Sequence, residues 1–239
     1  MTPEWTPSGA SGERRLRHIL SLLAAAPAPS SGQLCAVAAR VVDVAGAGVT
    51  LEDRLNRTLL CASDAIAAEV EELSFTLGEG PGIDAHRVGS PVSEPDLARP
   101  RRARWPSFTS LAVGAGAAAI FAFPLRVGGI RLGALTLYQA RSGRLTDGQH
   151  ADALAMADVV VGAVLADQAG ARPGDLAGEL DALSSTRADV HQASGMVSVQ
   201  LGASVADALV RLRAHAYAEG RALSDVAGDV IAGRLRLSE

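Results

Sequence analysis

The chain has 239 residues, enough for one sizeable domain and a small second one. Hydrophobic residues make up 48% of it but aromatics only 3%, so its cores must be built from Ala, Val and Leu in closely packed helices. Net charge is −4, all 22 basic residues are Arg, and residues 171–239 carry seven Arg against nine Asp or Glu, which excludes a global basic field and leaves only local contacts to nucleic acid.

Cys35 and Cys61 have no CxxC or metal-ligand spacing. Neither a disulfide framework nor a zinc site is expected, no metal or cofactor is indicated, and a reducing, cytoplasmic compartment is the default. No run approaches the roughly 20 apolar residues of a membrane span.

Residues 1–11 form a loose tail without periodicity. The basic stretch Arg14-Arg15-Leu16-Arg17 and the apolar residues after it loosely imitate a secretory signal. Leu16, Ile19, Leu20 and Leu23 fall at helical spacing, so the reading adopted is an amphipathic helix over 13–26. A break at 27–32 precedes a second helix from Gln33 to about Val44. Two β-prone runs, Ala47 to Leu51 and Thr58 to Ala62, predict a hairpin, and Ala67 to Leu77 predicts a helix.

Ala118 to Leu125 and Ile130 to Tyr138 form the strongest strand pair, because Gly128-Gly129 supplies the positive φ of a tight turn. Thr146 with Gln149 three residues on is a capping-box signature for a helix to about Asp167. Apolar residues nearly encircle that helix at Val159–Ala166, which predicts cover from a partner subunit, with the 13–26 helix as the alternative cover. Residues 170–174, Gly-Ala-Arg-Pro-Gly, break the chain between domains. Helices interleaved with antiparallel strands make the first domain α+β, and the remainder is helical.

Five motifs stand in order: Leu77-Gly78-Glu79-Gly80-Pro81-Gly82-Ile83-Asp84-Ala85, Asp96-Leu97, Arg104-Trp105-Pro106, Phe123-Pro124-Leu125 and Leu132-Gly133-Ala134-Leu135. Together they resemble the GAF family over residues 12–170. The resemblance implies a six-stranded antiparallel sheet flanked by helices, with a small-molecule pocket on one face. Residues 75–125 are expected to wall it, with Phe75, Trp105, Phe121 and Phe123 as candidate ligand contacts. Trp105 reads first as a core plug. The Gly-rich loop reads first as a turn between helix and strand, because no Lys or Ser/Thr follows as in a phosphate loop. Related domains often have Cys where Ile83 stands, and a methionine-sulfoxide-reducing subclass uses paired or tripled cysteines. Cys35 and Cys61 do not follow that pattern and are expected to pack as buried side chains.

Past the break, Asp175 to Leu201 predicts one helix ended by Gly202. Ser204 with Asp207 caps the next, which runs to Gly220, and Ser224 is expected to cap a last helix bearing Val226, Val230 and Ile231. The pattern Ala193-Ser194-Gly195-Met196-Val197, Ala208-Leu209, Leu212-Arg213, Ala216 and Leu223-Ser224-Asp225-Val226-Ala227 resembles the ANTAR family from about Arg187 to the end, with 171–186 as linker and start of helix. That resemblance implies a three-helix RNA-binding module that stabilises an antiterminator of paired stem-loops.

Arg213 matches the family's arginine and is expected on an exposed face. Ser194 stands where the family usually has Lys, and Gly220 where it often has Asn. Arg211, Tyr217 and Arg221 are candidates from chemistry: guanidinium for phosphate or base edges, phenol for stacking on an unpaired base. The combined expectation is a non-enzymatic, ligand-responsive regulator that binds stem-loop RNA, responds to a small-molecule effector and forms a homodimer. No catalytic residue is assigned, for want of a nucleophile–base or metal constellation. The alternatives are a DNA-binding transcriptional regulator with a GAF-type sensor and, behind it, a GAF-domain enzyme.

Overall fold

The computed structural model describes residues 15, 17–19, 21–22, 31–52, 57–100, 104–170, 189–190 and 192–237. The described residues of 15–22 are helical (α1). Then follow α2 (Ser31–Val42), β1 (Gly46–Glu52), β2 (Arg57–Ala62), α3 (Ala65–Leu77), α4 (Pro81–Val88), β3 (Val92–Glu94), α5 (Pro106–Ala115), β4 (Ala119–Val127), β5 (Ile130–Gln139) and α6 (Asp147–Gly170). The tail adds α7 (Gln192–Leu201), α8 (Val205–Glu219) and α9 (Leu223–Ile231). The first domain is thus α+β and the tail is helical. The expected tail at 1–11 and the expected linker and helix start at 171–186 lie outside the described residues.

Five antiparallel strands lie in the order β2-β1-β5-β4-β3, one fewer among the described residues than the six implied by the resemblance. Gly128 and Gly129 turn β4 into β5 with Val127 opposite Ile130, and Gly128 has φ 57°. Strand alternation then sorts side chains between two layers. Phe121, Phe123, Leu125, Leu135 and Leu137 pack with α2, α6 and Ile19 of α1. Ile120, Ala122 and Tyr138 pack on the other face with Ala67, Val70, Ala85 and Phe108 from α3, α4 and α5.

The helix ends are fixed by side chains. Thr146 and Gln149 make the expected reciprocal box, Thr146 N donating to Gln149 Oε1 (3.0 Å) and Gln149 N to Thr146 Oγ1 (3.2 Å). Ser204 accepts from Asp207 N at the start of α8. Ser224 does not cap α9, because that helix begins one residue before it, with Ala222 at the cap position and no side-chain bond.

The structure decides two points, one on the cover of α6 and one on the cysteines. Val159, Val160, Val161 and Val164 are all buried within the single chain, in the cluster that holds Ile19 and α2. These four valines of the α6 girdle are therefore covered from inside, as in the alternative reading, while Leu165 of the same stretch stays exposed. Cys35 and Cys61 are joined by a disulfide, their Cα atoms 5.9 Å apart, contrary to the expectation of unpaired buried thiols. The 26-residue separation carries no local pattern, and only the packing of α2 over the β2 edge brings the two together. Among the described residues no single helix is long and apolar enough to cross a membrane.

Candidate functional site

The Gly-rich motif is a joint between two helices, not between helix and strand. Gly78 closes α3 in the left-handed region at φ 68°, and Gly80 opens α4 at φ 142°, both costly for a residue with a Cβ. Glu79 between them reaches away, its Oε1 accepting the N–H groups of Ser107 and Phe108 at 2.9 Å each. Those are among the orphan donors of α5, whose own cap residue Trp105 has no side-chain acceptor. Asp84 accepts from Trp105 Nε1 (3.1 Å) and Arg104 (3.0 Å), while the Arg104 guanidinium lies 4.8 Å from the Trp105 ring centre. The motif residues thus clamp α4 to α5, and Trp105 is the buried plug of the first reading.

Under this clamp lies a buried ion pair. Arg57 Nη2 donates to Glu71 Oε2 (3.1 Å) and Thr50 Oγ1 (3.3 Å), with the two charged side chains 8% and 1% exposed. Glu71 lies flat on the sheet because β1 has Gly48 there: a Cβ would come 2.8 Å from Glu71 Cγ. Thr136 Oγ1 and Glu71 Oε1 are buried nearby without a hydrogen-bond partner among the described residues. Removing one partner of such a pair strands the other charge, at about 3–5 kcal/mol.

The four ligand candidates do not converge. Phe123 is fully buried on the α2–α6 face, its ring 5.2 Å from that of His150. Trp105 is buried on the opposite face. Phe75 leaves the first domain's core altogether and packs with Val190, Val197, Leu212 and Leu223 of the tail. Phe121 borders a cleft, about 340 Å³ in volume, that opens at the β3 edge between Ser93, Glu94, Arg104, Arg144 and His150. Of the residues 75–125 expected to wall a pocket, Ser93, Glu94, Arg104 and Phe121 line this cleft, whereas Phe75, Trp105 and Phe123 are packed into cores.

The nucleic-acid candidates separate in the same way. Ser194 is fully buried and donates to Val190 O at 2.6 Å, so it faces the tail's core and cannot reach a phosphate. Arg211 and Tyr217 are exposed on α8, Tyr217 at 55%. Arg221 is exposed but engaged, its Nη2 donating to Asp229 Oδ2 at 2.6 Å, and Arg234 shares that carboxylate. Arg213, expected on an open face, is half-buried and turned toward the first domain. A Cβ on Gly78 would stand 2.5 Å from Arg213 Nη1 and 3.0 Å from its Cζ, so the guanidinium occupies the space that glycine leaves empty. Its Nε is buried without a hydrogen-bond partner among the described residues. Burial, with the nearby positive charge of Arg57, lowers its pKa, and Glu52 offsets this in part.

Sequence reasoning missed this junction because Phe75 and Arg213 are 138 positions apart and each has a sufficient local explanation. Among the described residues no group of three or more His, Cys, Asp or Glu is placed to hold a metal ion.

No family model and no curated protein matches the chain. Solved structures do. The GAF domain of an Acinetobacter phosphoenolpyruvate-protein phosphotransferase aligns at 11% identity and TM-score 0.50, covering 66% of this chain and 96% of that one. The corresponding GAF domain from Coxiella burnetii aligns at 16% identity and TM-score 0.49, with 68% and 98% covered. A free methionine-R-sulfoxide reductase from Neisseria meningitidis aligns at 14% and TM-score 0.48, with 72% and 98% covered. At 11% identity the likeness to the Acinetobacter domain concerns fold alone: the first domain has the GAF fold.

Proposed function

We propose that this chain is a ligand-responsive RNA-binding regulator, in which the GAF-fold domain senses a small molecule and the C-terminal helices bind a stem-loop antiterminator. The observation that carries the reading is the outward side of α8. Arg211 and Tyr217 are exposed there, on a helix anchored through Ala208, Leu212 and Ala216 in a core of its own. They offer a guanidinium for phosphate and a phenol for stacking on an unpaired base. The effector is proposed to enter the cleft at the β3 edge, where Arg104 and Arg144 favour an anionic group beside the apolar Phe121. Pairing with a second copy, in the cytoplasm, is proposed through the side of α6 where Leu154 and Leu165 remain exposed.

Filter binding of an RNA with two adjacent stem-loops, against duplex DNA at matched salt, tests the reading. RNA is expected to bind more tightly, and Arg211→Ala or Tyr217→Ala to weaken it by about 1–3 kcal/mol. Equal or tighter binding of duplex DNA supports the DNA-binding alternative instead, and binding of neither removes the nucleic-acid function.

A further inference from the structure

The tail could have been tethered to the first domain by the linker alone, yet two side chains cross between the domains in opposite directions. Phe75, from the last turn of α3, is 5% exposed and belongs to the apolar cluster of the tail, beside Val190, Val197, Leu212 and Leu223. Arg213, from the middle of α8, enters the space above Gly78 that a Cβ would fill. The apolar half of this contact is well made. The polar half is not: Arg213 Nε is buried with no hydrogen-bond partner among the described residues, and burial and the guanidinium of Arg57 disfavour its charge more than the Glu52 carboxylate favours it.

We propose that this contact is an autoinhibitory clamp, in which Phe75 holds α8 against the first domain and thereby withholds Arg213 from an external anion, the RNA backbone. The inference rests on the RNA-binding reading given above. Its physical basis is differential satisfaction. Docked, the guanidinium forfeits the hydrogen bond of its Nε, whereas a phosphate can take charge-assisted, bidentate bonds from Nε and a terminal nitrogen together. A phosphate-bearing partner therefore favours the undocked state, while the burial of Phe75 favours the docked one. Anything that loosens α3 or the Gly78 joint shifts the balance toward RNA binding.

Two variants open the clamp by different means. Phe75→Asp removes the apolar half. Gly78→Asn keeps a residue tolerant of the left-handed conformation but puts a side chain where Arg213 sits. Full-length proteins are compared by amide hydrogen exchange over residues 74–80 and 205–219, and by filter binding of the two-stem-loop RNA. Both variants are expected to exchange faster over 74–80 and to bind RNA about tenfold more tightly, as when a binding-competent state rises from a tenth of the population to most of it. Adding Arg213→Ala to either variant is expected to abolish that gain.

Unchanged exchange in both variants overturns the clamp. Faster exchange with RNA affinity equal to the wild type's shows that docking masks nothing, and overturns it as well. Faster exchange with no RNA binding by any form, wild type included, supports the docking but removes the RNA-binding reading, so the two failures are distinguishable.

Discussion

Asp64 is where the first domain concentrates its polar connections. Its carboxylate caps α3 through the Ala67 N–H and accepts from Ser63 Oγ and from Tyr138 Oη (3.0 Å), which joins a loop, a helix and the central strand β5. Burial works to raise the Asp64 pKa, but hydrogen bonds from Ser63, Ala67, Tyr138 and Ile66 outweigh it and hold the group below its ordinary 3.8. The folded state then binds this proton more weakly than the unfolded chain does. Its contribution is complete above about pH 4 and is lost as pH falls through the depressed value. Asp64→Asn keeps a capping oxygen and removes the charge, so urea melts between pH 5 and 3 should show a shallower loss of stability than in the wild type. Parallel slopes would refute the role given to Asp64. Tyr138 behaves in the opposite sense: burial first, then the Asp64 bond, push it up from 10 to about 12, so its share of stability is complete below about pH 10 and is lost progressively as pH rises through about 12.

At the scale of elements, the capping residues were legible in the sequence wherever helix and cap are neighbours. The Thr146–Gln149 box and the Ser204 cap needed no tertiary information. Glu79 was not legible as a cap, because the helix it serves starts 27 residues later and only the folded loop brings the two together. The disulfide is the same lesson in covalent form. Spacing argued against Cys35–Cys61, and topology made it. In the chain-entropy model, closing that loop constrains the unfolded state by about 3–4 kcal/mol. Reduction by dithiothreitol should therefore lower the thermal midpoint by several degrees in the wild type and leave Cys35→Ala/Cys61→Ala unmoved. Equal midpoints with and without reductant, with free thiols confirmed by mass, would count against a stabilising bond.

For the whole molecule, apolar periodicity located the strongest hairpin and the helices of the tail but was blind to how the layers cover one another. The apolar girdle of α6 reads equally well as an interface and as an inner layer, since periodicity records only that water is excluded. Ile19 and α2 decide the case by burying Val160 completely. Val160→Glu should accordingly abolish cooperative unfolding in a circular-dichroism melt, because it forces a carboxylate into an apolar core. Folded monomers would point back to an intermolecular surface.

The same blindness explains the ligand candidates. The four aromatics are close in sequence or type, but only Phe121 and Phe123, two residues apart on β4, share a face, while Trp105 packs on the opposite face and Phe75 turns out into the tail's core. Phe75 and Arg213 instead bind the GAF-fold domain and the helical tail into one unit, and on the proposed reading RNA and the first domain compete for α8. Hydrogen exchange of the wild-type chain with and without saturating two-stem-loop RNA tests this most directly. Competition predicts that RNA slows exchange over 205–219 while speeding it over 74–80, where Arg213 and α8 depart. Slower or unchanged exchange over 74–80 in the RNA-bound protein would contradict it.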